Sequence, residues 1–72
     1  MDYDINLVIL GKRIKDLRIE RNMTPRDISE VIGEDELTII KIEAGQFDIK
    51  IEDLFLIAAR FRVTMSELFD GF

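Results

Sequence analysis

Apolar residues recur at helical spacing along most of the chain, and turn-forming residues interrupt them at short intervals. Leu7, Leu10, Ile14 and Leu17 keep the i, i+3, i+4, i+7 rhythm of an amphipathic helix and run into a charged stretch. Tyr3, Ile5, Leu7 and Ile9 alternate like a short strand, but the longer helical pattern is favoured, giving a first helix from about Asn6 to Arg21. Residues 1–5 are expected to form a loose N-terminal arm. Asn22 can end the helix in a left-handed conformation, with Met23 packing inward after it. Thr24, then Pro25, then Asp27 is a helix start: a hydroxyl caps an orphan N–H, proline has its φ already set, and a carboxylate stands in the first turn. This second helix should run from Pro25 to about Ile32. Gly33 can turn the chain sharply, and Asp35 can cap a third helix from Glu36 to Gly45. A short loop, 46–50, carries Phe47 near its tip, either tucked against the core or offered to a partner. Ile51–Phe61 reads as a fourth helix with Leu54, Ile57, Ala58 and Phe61 inward, and Thr64 with Glu67 caps a last short helix from Met65 to about Phe69.

The stretch 24–45 is thus two short helices joined by a glycine-containing turn, with Ile28, Ile32, Ile39 and Ile42 inward and the small Ser29 where the helices approach. That is the helix-turn-helix layout, whose second helix enters the DNA major groove, although any small helical bundle shares the pattern. On the first helix Val8 and Ile19 fall almost opposite the inward face, with Ile5 near them. They are either stray surface residues or a dimer contact.

With 72 residues the chain is one domain, and a chain of this size buries only about 60% of the surface it exposes unfolded. It has no Cys and no His, which removes disulfides, thiolate or imidazole metal ligands, a cysteine nucleophile and a histidine base. Ser29 and Ser66 therefore have no imidazole to activate them, and the Glu34-Asp35-Glu36 triplet lacks the spacing of a calcium loop. An enzyme is not expected, nor a cofactor. No apolar run is long enough to span a bilayer or serve as a signal peptide, so a cytoplasmic location is expected.

Charge complicates a nucleic-acid role. The net charge is −5, but residues 1–26 carry six basic side chains against four acids, while residues 27–72 carry four against eleven. The basic surface is confined to the first helix and the start of the second.

From Leu10 to Phe69 the chain resembles the Cro and phage-repressor type of helix-turn-helix domain, the Xre-like family. The resemblance rests on LGKRIKDLRIERNMT from Leu10, with Gly11, Ile14, Leu17 and Arg18; on DIS and IG at 27–29 and 32–33; on TIIKIEAG at 38–45; and on IEDLFLIAARFRVTMSELF at 51–69. It implies an all-α, five-helix, lambda-repressor-like domain occupying residues 1–72. It further implies Pro25 and Arg26 against the phosphate backbone, Glu36, Leu37, Ile40 and Lys41 facing base edges, and Ala44 and Gln46 near flanking phosphates. Arg13, Arg18, Arg21, Arg26 and Lys41 are available for phosphates, Arg18 with the alternative of a structural ion pair to Glu43 or another acid. The chain departs from the family where members often have Gln in place of Pro25, a polar or basic residue in place of Glu36, and a basic or amide side chain in place of Ala44. Each carboxylate about 7 Å from a phosphate costs roughly 0.6 kcal/mol in water, so three cost about 2 kcal/mol. This weakens DNA binding without forbidding it, because a carboxylate can accept from a cytosine amino group and Leu37 and Ile40 can meet thymine methyls. The expected function is a small sequence-specific transcriptional regulator that binds a palindromic double-stranded operator as a homodimer. The alternative is a protein-interaction module, the antitoxin half of a toxin–antitoxin pair, using Ile19, Val31, Leu37, Ile40 and Phe47 as extra exposed apolar side chains.

Overall fold

The computed structural model describes residues 5–70, which form five helices: α1 (Ile5–Glu20), α2 (Pro25–Ile32), α3 (Glu36–Glu43), α4 (Ile51–Phe61) and α5 (Met65–Leu68). The expected all-α, five-helix architecture is present. α1 starts one residue early, so Ile5 is helical and not part of an arm; the remainder of that expected arm, and the last two residues, lie outside the described residues. α3 stops at Glu43, with Ala44 as its cap and Gly45 already left-handed, two residues short of the expected end.

The helix starts follow their capping chemistry. Thr24 accepts from the Asp27 N–H while the Asp27 carboxylate accepts from the Thr24 N–H, and Thr64 and Glu67 repeat this reciprocal box at α5. Asp35 caps α3, accepting from both the N–H and the hydroxyl of Thr38 at 2.8 Å.

The first four helices all stop by the same device. The N–H of Met23, Glu34, Gln46 and Val63 donates back five residues, to the carbonyls of Arg18, Ser29, Lys41 and Ala58. In each case the residue before the donor has positive φ: Asn22, Gly33, Gly45 and Arg62. This satisfies carbonyls that the helix end would otherwise leave without partners, and it sends the following chain back toward the core. Met23 is accordingly buried and Val63 packs on the core. Arg62 is the position that the residue type does not announce, because a long side chain there takes a conformation disfavoured without glycine.

One core joins all five helices: Leu10, Ile14 and Leu17 of α1, Ile28, Ile39 and Ile42 of the central pair, Leu54, Ile57, Ala58 and Phe61 of α4, and Leu68 of α5. Ile49 adds an anchor from the loop before α4, which its loop position hid. Leu7 and Ile32, both expected inward, are half-buried.

α3 packs on α2 and α1, and α4 packs on α2 and α5. The α1–α3 crossing is close because Gly11 has no side chain. A Cβ there would collide with the carbonyl oxygens of Ile42 and Glu43. One turn earlier, Val8 lies against Gly45, where a Cβ would come within 2.7 Å of the Val8 Cα. Val8 is therefore part of the α1–α3 contact and not of an open outer face.

Candidate nucleic-acid interface

Glycine 11 fixes the phase of α1. At about 100° per residue, Val8, Gly11, Lys15 and Arg18 share the side that meets α3, and Arg13 points the other way. The Arg18 guanidinium lies along this contact, donating from Nε and Nη2 to the two carboxylate oxygens of Glu43 at 2.7 and 3.1 Å, and from Nη1 to the Met23 carbonyl at 2.8 Å. Both side chains are largely buried, at 11% and 6% exposed. All of this geometry serves to seat α3 on α1. Arg18 is thus committed to the Glu43 pair and is not free for a phosphate.

Above the pair lies a shallow groove of about 250 Å³ lined by Lys15, Arg18, Pro25, Ile40, Glu43 and Ala44. It brings the middle of α1, the first residue of α2 and the outward side of α3 to one surface.

The outward side of α3 is the diametric opposite of its buried one. Ile39 and Ile42 are in the core, while Glu36, Leu37, Ile40, Lys41 and Ala44 are exposed, Leu37 at 57% and Ile40 at 51%. Gln46 is exposed just past the Gly45 turn, and Phe47 beside it is exposed at 37%, on the offered side of the two readings. Arg26, exposed in the first turn of α2, reaches Glu30 at 3.5 Å, a solvated pair that holds it weakly. Six of the eight residues singled out from the sequence therefore lie on the helix-turn-helix unit or its exit: Arg26, Glu36, Leu37, Ile40, Lys41 and Gln46.

The other two require correction. Arg13 donates from Nε and Nη2 to the Glu67 carbonyl of α5 at 3.3 and 3.2 Å. Arg21 donates to the carbonyls of Phe61 at 2.8 Å and Leu17 at 3.1 Å, with its guanidinium 5.5 Å from the centre of the Phe61 ring. Both close orphan carbonyls at helix ends and tie α1 to the C-terminal helices, away from the α3 contact. Lys15, absent from the sequence-based set, takes their place at the groove. Its spacing of four from Gly11 was the available signal.

Electrostatically the three consecutive acids are not equivalent. The backbone N–H of Thr38 holds the Asp35 carboxyl below its ordinary range, so that group works as a cap, while Glu34 and Glu36 are exposed. The Thr24 N–H depresses Asp27 in the same way. The buried Ser29 hydroxyl donates to the Arg26 carbonyl at 2.7 Å, a structural role. No helix among the described residues is long and apolar enough to cross a membrane.

The HTH_3 helix-turn-helix family profile matches residues 14–68. The chain belongs to that family. This HTH_3 protein is a DNA-binding transcriptional regulator. No protein of curated function matches it in sequence. Among solved structures it is similar to the restriction-modification controller protein C.AhdI from Aeromonas hydrophila, with 22% identity and a TM-score of 0.82 over 90% of this chain and 98% of that one. It is similar to the clp gene regulator ClgR from C. glutamicum, with 15% identity and a TM-score of 0.85 over 94% and 87% of the two chains. It is also similar to the controller protein C.Esp1396I, solved as a tetramer on its natural 35 base-pair operator, with 27% identity and a TM-score of 0.78 over 93% and 88%.

Proposed function

We propose that this HTH_3 protein binds a double-stranded operator as a homodimer, with the outward stripe of α3 in the major groove. The observation that carries this reading is the exposure of Leu37, Ile40, Lys41 and Ala44 opposite buried Ile39 and Ile42, with Glu36 exposed at the edge of that side, Lys15 in the adjoining groove and Arg26 exposed in the first turn of α2. The rim supplies cations for phosphates, and the stripe supplies one acid, one base and three apolar side chains for base edges. Leu37, Ile40 and Ala44 suit thymine methyls, and Glu36 suits a cytosine amino group. A two-fold dimer would read two half-sites about one DNA turn apart, hence a palindromic operator. The operator-bound tetramer of C.Esp1396I supports both the DNA partner and self-association by likeness.

The three cations offered by this face, Lys15, Arg26 and Lys41, are few against a net charge of −5. With six phosphate contacts per dimer, affinity should fall roughly 10³-fold between 50 and 200 mM salt. The deciding experiment titrates the purified chain against the DNA upstream of its own gene over that salt range. Specific retention with a steep salt slope is expected. No retention at the lowest salt would overturn the reading.

The adjacency of Leu37, Ile40, Ala44 and Pro25 favours a second reading, in which the same face holds a protein such as a toxin. There, Leu37→Asp or Ile40→Asp would break a protein complex without unfolding the domain. Co-purification with the product of a neighbouring gene distinguishes it.

A further inference from the structure

From residue 27 onward the chain carries four basic side chains against eleven acids, yet two of those four stand together at the end of α4. Arg60 and Arg62 line a pocket of about 250 Å³ with Arg21, Met23 and Phe61, where the C-terminal ends of α1 and α4 meet. The pocket shares no residue with the groove beside α3.

Basic residues at helix C-termini ordinarily serve the carbonyls left open there. Here other groups fill that role. Arg21 donates to the Phe61 and Leu17 carbonyls, and the backbone N–H groups of Met23, Arg62 and Val63 donate to those of Arg18, Ala59 and Ala58. Arg60 and Arg62 are exposed, and their guanidinium groups take part in no hydrogen bond or ion pair among the described residues. Arg62 also stands at a position that suits its residue type poorly, because its φ of 59° is one that glycine adopts without steric cost. The turn itself gains nothing from an arginine there. Acids nearby leave the pocket open: Glu20 meets Arg21 at 3.5 Å in a solvated pair, and the attraction of Arg60 for Asp27 falls short of an ion pair.

We propose that this pocket is a second binding site, for a small soluble anion with two linked phosphoryl groups. Three guanidinium groups supply planar donor forks that match phosphoryl oxygens, and their summed charge suits a diphosphate better than a singly charged anion. Phe61 and Met23, nearly closed to solvent, form an apolar wall beside the cations and strengthen each contact by lowering the local dielectric. The volume is smaller than that of sites that enclose drug-sized ligands, so the pocket takes the diphosphate and leaves any organic portion outside. Duplex DNA presents singly charged phosphates spread along a strand, a poorer match to three cations around one small pocket.

Isothermal titration calorimetry of the full chain with inorganic pyrophosphate, without DNA or other phosphate, tests this. Saturable one-to-one binding is expected, at least about tenfold tighter than that of orthophosphate or sulfate. Arg62→Gly should weaken it at least about tenfold without lowering the melting temperature, because glycine fits the left-handed turn. Arg60→Gln should weaken it by a similar factor, while Lys12→Gln, an equal loss of charge on the outer side of α1, should leave it unchanged. Binding that never saturates, that is equal for sulfate and pyrophosphate, that survives Arg62→Gly, or that falls as far with Lys12→Gln would overturn the site. Absence of pyrophosphate binding, with operator affinity lowered by Arg62→Gly, would instead make the pocket part of the DNA contact and refute a soluble ligand. Because the titration contains no DNA, its outcome is independent of the operator reading.

Discussion

α3 and α4 each turn an apolar stripe to solvent, and the two stripes differ in their rims. Lys15 of α1 shares a groove with Ile40 and Ala44, while Lys41 and Glu36 are exposed on α3 itself and Arg26 is exposed in the first turn of α2. Around Ile51, Phe55 and Ala59 stand one acid and one base, both from α4 itself. The α3 face therefore gathers cations from three helices around an acid of its own, Glu36, which suits a polyanion with base edges to read, while the α4 face carries only its own acid and base. Exposed apolar area alone would have assigned both helices the same role; the charges around it separate them.

The largest expected effect breaks the support beneath the α3 stripe. Glu43→Ala leaves the Arg18 guanidinium buried without its carboxylate, which should cost about 3–5 kcal/mol in a denaturant titration. DNA binding should be lost with it, because the pair seats α3 on α1.

Next in size is a charge reversal on the stripe itself. Lys41→Glu should weaken operator binding about 100-fold, and Glu36→Gln should strengthen it about threefold by removing one repulsion of roughly 0.6 kcal/mol. Fluorescence anisotropy with a labelled operator measures both. Phe55→Asp should leave affinity for a single half-site unchanged within about twofold; parallel losses at Lys41 and Phe55 would erase the distinction between the faces.

A smaller effect resides in the DNA. Replacing a contacted thymine by uracil removes one methyl from against Leu37 or Ile40, and should cost about 0.8 kcal/mol, near fourfold, with no change in salt slope. Uniform indifference across the operator would mean that the apolar stripe does not read bases.

The smallest is a shared pH dependence. Asp27 and Asp35 both have carboxyl groups held below their ordinary range in the folded state, by backbone N–H donors at Thr24 and Thr38. The stability they contribute is complete above the unfolded value near 4 and is lost as pH falls through the depressed folded values. Thermal melts between about pH 2 and 6 should show this loss, and Asp27→Asn, which removes the titrating group, should make it shallower.

Local chemistry was legible residue by residue. The bounds of α2 and α4, the caps at Thr24, Asp35 and Thr64, the left-handed Asn22 and the Arg18–Glu43 option all follow from interactions within a turn or two, or from a paired charge on the inward side of a helix. The same holds for the exposed set on α3, since burial of Ile39 and Ile42 leaves only one side for Glu36, Leu37, Ile40 and Lys41. Reach across the fold was not legible. Arg13 and Arg21 looked like phosphate ligands because arginine is usually solvated, and only the arrival of the Glu67 and Phe61 carbonyls beside them turned both into internal ties. Val8 looked exposed until Gly45 packed on it.

What the sequence determined alone is therefore the set of helices, their caps and the composition of each face, because those depend on contacts between near neighbours along the chain. The tertiary structure decided which faces meet. Helical periodicity says that Gly11 and Lys15 share a side, but not that α3 crosses at Gly11, and that crossing is what brings Lys15 to the groove, commits Arg18 beneath it and turns Arg13 away. It likewise left α4 with one side that no other helix among the described residues covers.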